Sequence, residues 1–230
     1  MRLSSGLCLA FSLFAVVHGV DAQDLNIDFG HGLSGPAATY AAAGQPGVWN
    51  AIPAAHGTTT NNLVDLSGAV TAVSVSQIGG LALLVDNDPA VSGDDALLLD
   101  DFLVTYNAGL ESCIYLNSLT AGVYEVLIYA RMPDDAVGSY TSIDQEAGTP
   151  HWTVGGAWPG EHVLLTSYSR HLATVGPGGD LDLHSGIVPA ADPSLGAALN
   201  GLQVRRLGLG IFADDFESGG TGAWDVCVGC

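Results

Sequence analysis

Apolar and polar residues alternate with a period of two along much of this chain. In residues 25–29, LNIDF, the odd positions Leu25, Ile27 and Phe29 are apolar and the even ones polar, which predicts a half-buried strand ending at Gly30. Val73 and Val75 alternate with Ser74 and Ser76, and Leu202 and Val204 with Gln203 and Arg205, in the same way. Residues 122–131, GVYEVLIYAR, are apolar on both faces, with Tyr124, Val126 and Ile128 on one and Val123, Leu127 and Tyr129 on the other. Such a segment predicts a central strand. Residues 168–175 and 180–184 flank Gly176-Pro177-Gly178-Gly179, which reads as a hairpin signal.

Helical character is confined to residues 94–106, DDALLLDDFLVTY. Long helices do not alternate with the strands, so a parallel α/β fold is not expected. Many short strands broken by Gly, Pro, Asn and Asp predict an all-β protein, an antiparallel β-sandwich or barrel with one short helix. The expected core contains Phe29, Val75, Tyr124, Val126, Ile128, Leu181, Leu183, Leu202 and Val204.

Residues 116–134, LNSLTAGVYEVLIYARMPD, resemble the L-x-x-G-x-Y-x-V-x-x-Y strand of galactose-binding-like jelly-roll domains. Residues 199–207, LNGLQVRRL, look like the closing strand of many exported bacterial sandwiches of that group. The resemblance implies a jelly-roll module without catalytic activity, often carbohydrate-binding and sometimes calcium-stabilised. Its motifs are core positions and turn glycines, so it carries over no ligand-contacting residue. Residues 211–225, IFADDFESGGTGAWD, are similar to a D-x-FESG-x-x-x-x-W tail found on many secreted proteobacterial proteins.

The first 22 residues read as a signal peptide. Arg2 supplies a positive n-region, residues 7–17 an apolar stretch, and Val20-Asp21-Ala22 a cleavage pattern before Gln23. The apolar stretch is shorter than the 18 or so residues a membrane helix needs, and no later one approaches that length. The expected organisation is therefore a signal peptide at 1–22, a β-sandwich at 23–210 and a C-terminal tail at 211–230, with a secreted, extracellular or periplasmic, destination and no membrane span.

Twenty-four acids against five arginines and no lysine give a formal net charge of −19. Nucleic acid is excluded as a partner, because its binding depends on cations that neutralise phosphates. Neutral polymers, small molecules, or anionic polymers bridged by a divalent ion remain compatible. Cys8 leaves with the signal. Cys227 and Cys230, spaced C-x-x-C, are expected to close a local disulfide in an oxidising compartment, and Cys113 to lie in the core.

Trp152 and Trp158, in the Gly/Pro-rich stretch TPHWTVGGAWPGEH, are candidate sugar-stacking residues, with His151 and Glu161 as hydrogen-bonding neighbours. Their alternative role is to cap the core. Asp86, Asp88 and Asp94 could be gathered by one turn as oxygen ligands for Ca2+, although their spacing is not that of an EF-hand. No G-x-S-x-G, H-E-x-x-H, Walker or G-x-G-x-x-G motif is present. The sequence thus points to a carbohydrate-binding, or other extracellular ligand-binding, module. A structural or adhesive surface protein and an unrecognised carbohydrate-active hydrolase or lyase are the alternatives.

Overall fold

A computed structural model of the chain describes residues 23–30, 34–80, 82–85, 87–106, 111–133, 138–187 and 196–208. The expected signal segment, the tail with Cys227 and Cys230, and Asp86 lie outside the described residues. The strands are β1 (Leu25–Gly30), β2 (Trp49–Pro53), β3 (Thr58–Thr60), β4 (Ser74–Gly79), β5 (Ala82–Val85), β6 (Asp101–Thr105), β7 (Glu111–Asn117), β8 (Gly122–Tyr129), β9 (Gly138–Ile143), β10 (Trp152–Gly155), β11 (Tyr168–Val175), β12 (Leu181–Ile187), β13 (Ala197–Leu199) and β14 (Gly201–Gly208). One helix, α1, runs over Asp94–Leu99.

These strands build an antiparallel β-sandwich. One sheet has the order β11-β8-β14-β1-β2 and the other β10-β9-β12-β7-β4-β3, while β13-β6-β5 forms a small third sheet. Among the described strands, β1 and β2 run parallel. Alternation explains the layers. Leu25, Ile27 and Phe29 from β1, Tyr124, Val126 and Ile128 from β8, and Leu202 and Val204 from β14 point inward from the first sheet. They meet Val75, Ile114, Leu116, Leu181 and Leu183 from the second. All nine residues expected in the core belong to this cluster. At about 25 cal/mol per Å2 of apolar area removed from water, each contributes roughly 1.5–3 kcal/mol before chain entropy is counted.

β8 lies between β11 and β14, as its two apolar faces require. Its outer face carries Leu127 and Tyr129 into a second cluster with Trp49, Val91, Leu98 and Leu99. The helix thus covers part of the first sheet.

Two expectations are corrected. The helical segment stops at Asp100, and Phe102, Leu103, Val104 and Thr105 form a strand paired with β5 and β13. A six-residue helix has little stability of its own, and tertiary pairing of the β-favouring F-L-V-T run prevails. Nor is Gly176–Gly179 a hairpin turn. β11 pairs with β8 in one sheet and β12 with β7 and β9 in the other, so the turn carries the chain across the sandwich. The alternation of both strands is satisfied because they bury their apolar residues in the same core from opposite sides. Gly179 sits at φ +79°, where an added Cβ would come within 2.7 Å of the Leu119 carbonyl oxygen, so glycine is required there.

Candidate functional site

The residues singled out in the Gly/Pro-rich stretch divide between two environments. Trp152 opens the edge strand β10 and is 40% exposed. Beside it lie Leu164, Leu165 and the aliphatic part of Arg170, forming a shallow apolar pocket. His151 packs edge-on against Tyr140, with ring centroids 5.4 Å apart. Trp158 is half-buried against the second cluster. Its ring meets His162 edge-on at 5.2 Å and has the Arg131 guanidinium 5.9 Å from its centroid. Glu161 is exposed.

A tight turn presents the leucines beside Trp152. The Val163 N–H donates to Ser167 Oγ, Thr166 N–H to the Val163 carbonyl and Gly155 N–H to the Leu165 carbonyl. Leu165 therefore takes φ +65° while remaining 41% exposed. A branched side chain in the left-handed region costs on the order of 1 kcal/mol that glycine would avoid. Exposed apolar bulk is thus held in a strained position next to an exposed indole.

Of the three calcium candidates, Asp88 and Asp94 fall among the described residues. Asp88 forms a buried ion pair with Arg131 at 2.8 Å, and an Asp94 carboxylate oxygen accepts the Ala37 N–H at 2.9 Å. A different pair of acids, the buried Asp28 of β1 and the partly buried Asp101 of β6, are neighbours. Asp28 is 3% exposed, and its Oδ1 accepts no hydrogen bond among the described residues. Burial, reinforced by the neighbouring Asp101 carboxylate, pushes its pKa up to about 8.

Three histidines organise polar networks whose members are far apart in the sequence. His171, fully buried between the sheets, has Nδ1 2.5 Å from Glu146 Oε2 and Nε2 3.1 Å from Ser169 Oγ. The Thr141 hydroxyl donates to Ser169 Oγ at 2.7 Å, and the Leu172 N–H donates to Glu146 Oε1. A neutral imidazole that donates from Nδ1 and accepts at Nε2 satisfies every member. Burial holds the His171 pKa below its ordinary value, against the pull of Glu146. The order serine, histidine, carboxylate is that of a hydrolytic triad, but Ser169 and His171 have no solvent exposure and no substrate carbonyl can reach them. His162 forms a second centre, with Nε2 2.6 Å from the Tyr40 hydroxyl and 3.3 Å from Asp95 Oδ1.

The third centre lies on the outward face of the second sheet. Cys113, expected in the core, is instead only partly buried there, because β7 turns Glu111, Cys113 and Tyr115 outward while Ser112, Ile114 and Leu116 face in. Opposite it in register stands His184 of β12. Its Nδ1 is 3.4 Å from Cys113 Sγ and 3.0 Å from Glu111 Oε2, and its Nε2 is 3.3 Å from Asp144 Oδ1. The hydrogen bond with Cys113 and the surrounding negative groups raise the His184 pKa to about 9.

A further cleft, on the outer face of the first sheet, is lined by Asp24, Asn26, Gln45, Leu66, Gln203 and Arg205. Its amides serve one another. Gln203 donates to Asn26 Oδ1 and the Gln45 carbonyl and accepts from the Tyr129 hydroxyl, which leaves little for a ligand.

No family model and no curated protein matches this sequence. Solved structures with some similarity include the CBM36-1 domain of a multidomain xylanase from the hindgut metagenome of Trinervitermes trinervoides, at 12% identity over 59% of this chain and 99% of that one, with a TM-score of 0.34. TmCBM61, solved in complex with beta-1,4-galactotriose, is 13% identical over 57% of this chain and 88% of that one, at a TM-score of 0.32. The C-terminal CBM6 of a marine laminarinase from Zobellia galactanivorans is 16% identical over 57% and 99%, at 0.27. Similarity at that level fixes neither a ligand nor a site residue for this chain.

Proposed function

We propose that this chain is a secreted, non-catalytic β-sandwich module that binds a neutral carbohydrate at the ledge formed by Trp152, Leu164, Leu165 and Arg170. The observation that carries the reading is the exposed Trp152 indole, set beside leucines that a strained turn keeps in solvent. An indole face stacks on the apolar face of a sugar ring, while guanidinium and imidazole groups at the rim bond its hydroxyls. Arg170 lines that ledge, and His151, the residue before Trp152, packs against Tyr140. Arg170 is anchored by Glu125 at 2.5 Å, which orients its guanidinium. The net charge of −19 favours an uncharged polymer over an anionic one. Trp158 contributes from beneath, by fixing the 156–167 loop against the second cluster.

A glycan array probed with the full chain, once with calcium and once with EDTA, tests the reading and the calcium expectation attached to Asp86, Asp88 and Asp94. Selective retention of neutral oligosaccharides that Trp152→Ala abolishes is the expected result. Uniform absence of glycan binding would leave the structural or adhesive alternative in its place.

A further inference from the structure

The Glu111, Cys113 and His184 group on the outward face of the second sheet has the donors and spacing of a metal site, and no part of the sugar-binding ledge uses it. One ligand atom from each of the three residues falls within a sphere in which all lie within 4.8 Å of one another. For a tetrahedral ion with a metal–sulfur bond of about 2.3 Å and metal–nitrogen and metal–oxygen bonds of about 2.0 Å, the edges of the tetrahedron are about 3.5 Å for sulfur to nitrogen and about 3.3 Å for nitrogen to oxygen. The observed separations are 3.4 Å from Cys113 Sγ to His184 Nδ1 and 3.0 Å from His184 Nδ1 to Glu111 Oε2. Small side-chain adjustments suffice to close that gap.

The surroundings are those that hold metal ligands in place. Asp144 Oδ1 lies 3.3 Å from His184 Nε2, the nitrogen that faces away from the cluster, and can accept a hydrogen bond from Nε2–H, which leaves Nδ1 unprotonated and free to ligate. The Tyr140 hydroxyl donates to Glu111 Oε1, leaving Oε2 toward the histidine. Gly186, opposite Glu111 in register, makes room for that tyrosine: a Cβ there would stand 2.7 Å from the Tyr140 ring. The ligands themselves ride on two paired central strands, β7 and β12, so their backbone positions are rigid.

We propose that Glu111, Cys113 and His184 bind a divalent transition-metal ion of the zinc class, with three protein donors and a fourth position open to solvent. A thiolate and an imidazole select such an ion over calcium or magnesium, which take oxygen donors. Asp144 and Tyr140 act as positioning residues.

Cobalt(II) titration of the full chain, followed by absorption, tests this, because a thiolate bound to cobalt gives an intense near-ultraviolet charge-transfer band. Three proteins are compared: the unaltered chain, Cys113→Ser, and a Cys227→Ser/Cys230→Ser double variant that removes the other thiol pair. The band should appear in the unaltered chain and the double variant, vanish in Cys113→Ser, and be displaced by stoichiometric zinc. Asp144→Asn should weaken zinc affinity about 10- to 100-fold while keeping the band, and zinc should protect Cys113 from alkylation. A band that survives Cys113→Ser but is lost in the double variant would overturn the proposal. So would the absence of any band in a reduced, folded chain, or a mapped disulfide from Cys113 to Cys227 or Cys230 in the exported protein.

Discussion

His171 lies inside the sandwich and His184 on the outward face of its second sheet, each beside a glutamate, and their environments separate them. His171 points inward from β11 and is sealed, so burial lowers its pKa, and both its ring nitrogens are committed, to Glu146 and to the buried Ser169 and Thr141. His184 points outward from β12, and its partners Glu111, Cys113 and Asp144 are all reachable from water. The same contrast divides the two tryptophans, with Trp158 against the second core cluster and Trp152 at the open edge of β10. Polar and aromatic groups inside this fold hold it together; those displayed outside are available for ligands. Burial, more than residue type, assigns the role.

The largest test of the interior half concerns Asp28. Its folded pKa of about 8 lies above the ordinary 3.8, so the folded state retains a proton that the unfolded chain releases. Stability is then full below about pH 4 and falls as pH rises toward 8, by about 1.4 kcal/mol for each pH unit crossed. Asp28→Asn should remove this slope in thermal melts taken from pH 5 to 8, and exceed the unaltered protein in Tm at the alkaline end. An unchanged pH profile would show that a counter-charge reaches Asp28.

Next in size, His171→Ala strands the buried Ser169 and leaves the partly exposed Glu146 without its imidazole, and should cost about 3 kcal/mol by denaturant unfolding, whereas His184→Ala should fall within about 0.5 kcal/mol when metal is absent. Equal losses would erase the distinction between the two histidines.

How far the sequence carried these assignments depends on the range of the interaction. These patterns are local, so β1, β4 and β14 could be read from alternation, β8 from its two apolar faces, and all nine expected core residues from the same local signals. Partner choice is not local. The turn at Gly176–Gly179 is rich in the residues of a hairpin, yet it joins strands of different sheets, and Phe102–Thr105 follows its neighbours β5 and β13 rather than the preceding helix. Cys113 and His184 are 71 residues apart, and Glu146 and His171 are 25 apart. The register of β7 with β12 brings the first pair together and an isolated bridge from Glu146 to Ala173 the second, and a single sequence carries no signal for either. Trp152 and Trp158 stand in one Gly/Pro-rich stretch of uniform composition, so only the fold tells them apart.

Smaller effects sharpen the tryptophan half of the contrast. Trp158→Ala should cost about 2 kcal/mol through lost burial and lost contact with Arg131, and Trp152→Ala less than about 1 kcal/mol, both read as shifts in denaturant midpoint. Leu165→Gly relieves the left-handed strain but enlarges the freedom of the unfolded chain, so its melting temperature should stay within a few degrees of the unaltered protein. Sugar affinity should nonetheless fall, since an apolar wall of the ledge is gone.

The most direct measurement is isothermal titration of the best glycan from the array into the unaltered chain, Trp152→Ala and Trp158→Phe, with the melting temperature of each recorded in parallel. At about 1–3 kcal/mol for the loss of a stacked indole, Trp152→Ala should weaken binding roughly 10- to 100-fold with little change in melting temperature, while Trp158→Phe should shift stability more than affinity. Full affinity in Trp152→Ala, or loss of affinity only in variants that also lose stability, would contradict the assignment of ligand binding to the displayed tryptophan.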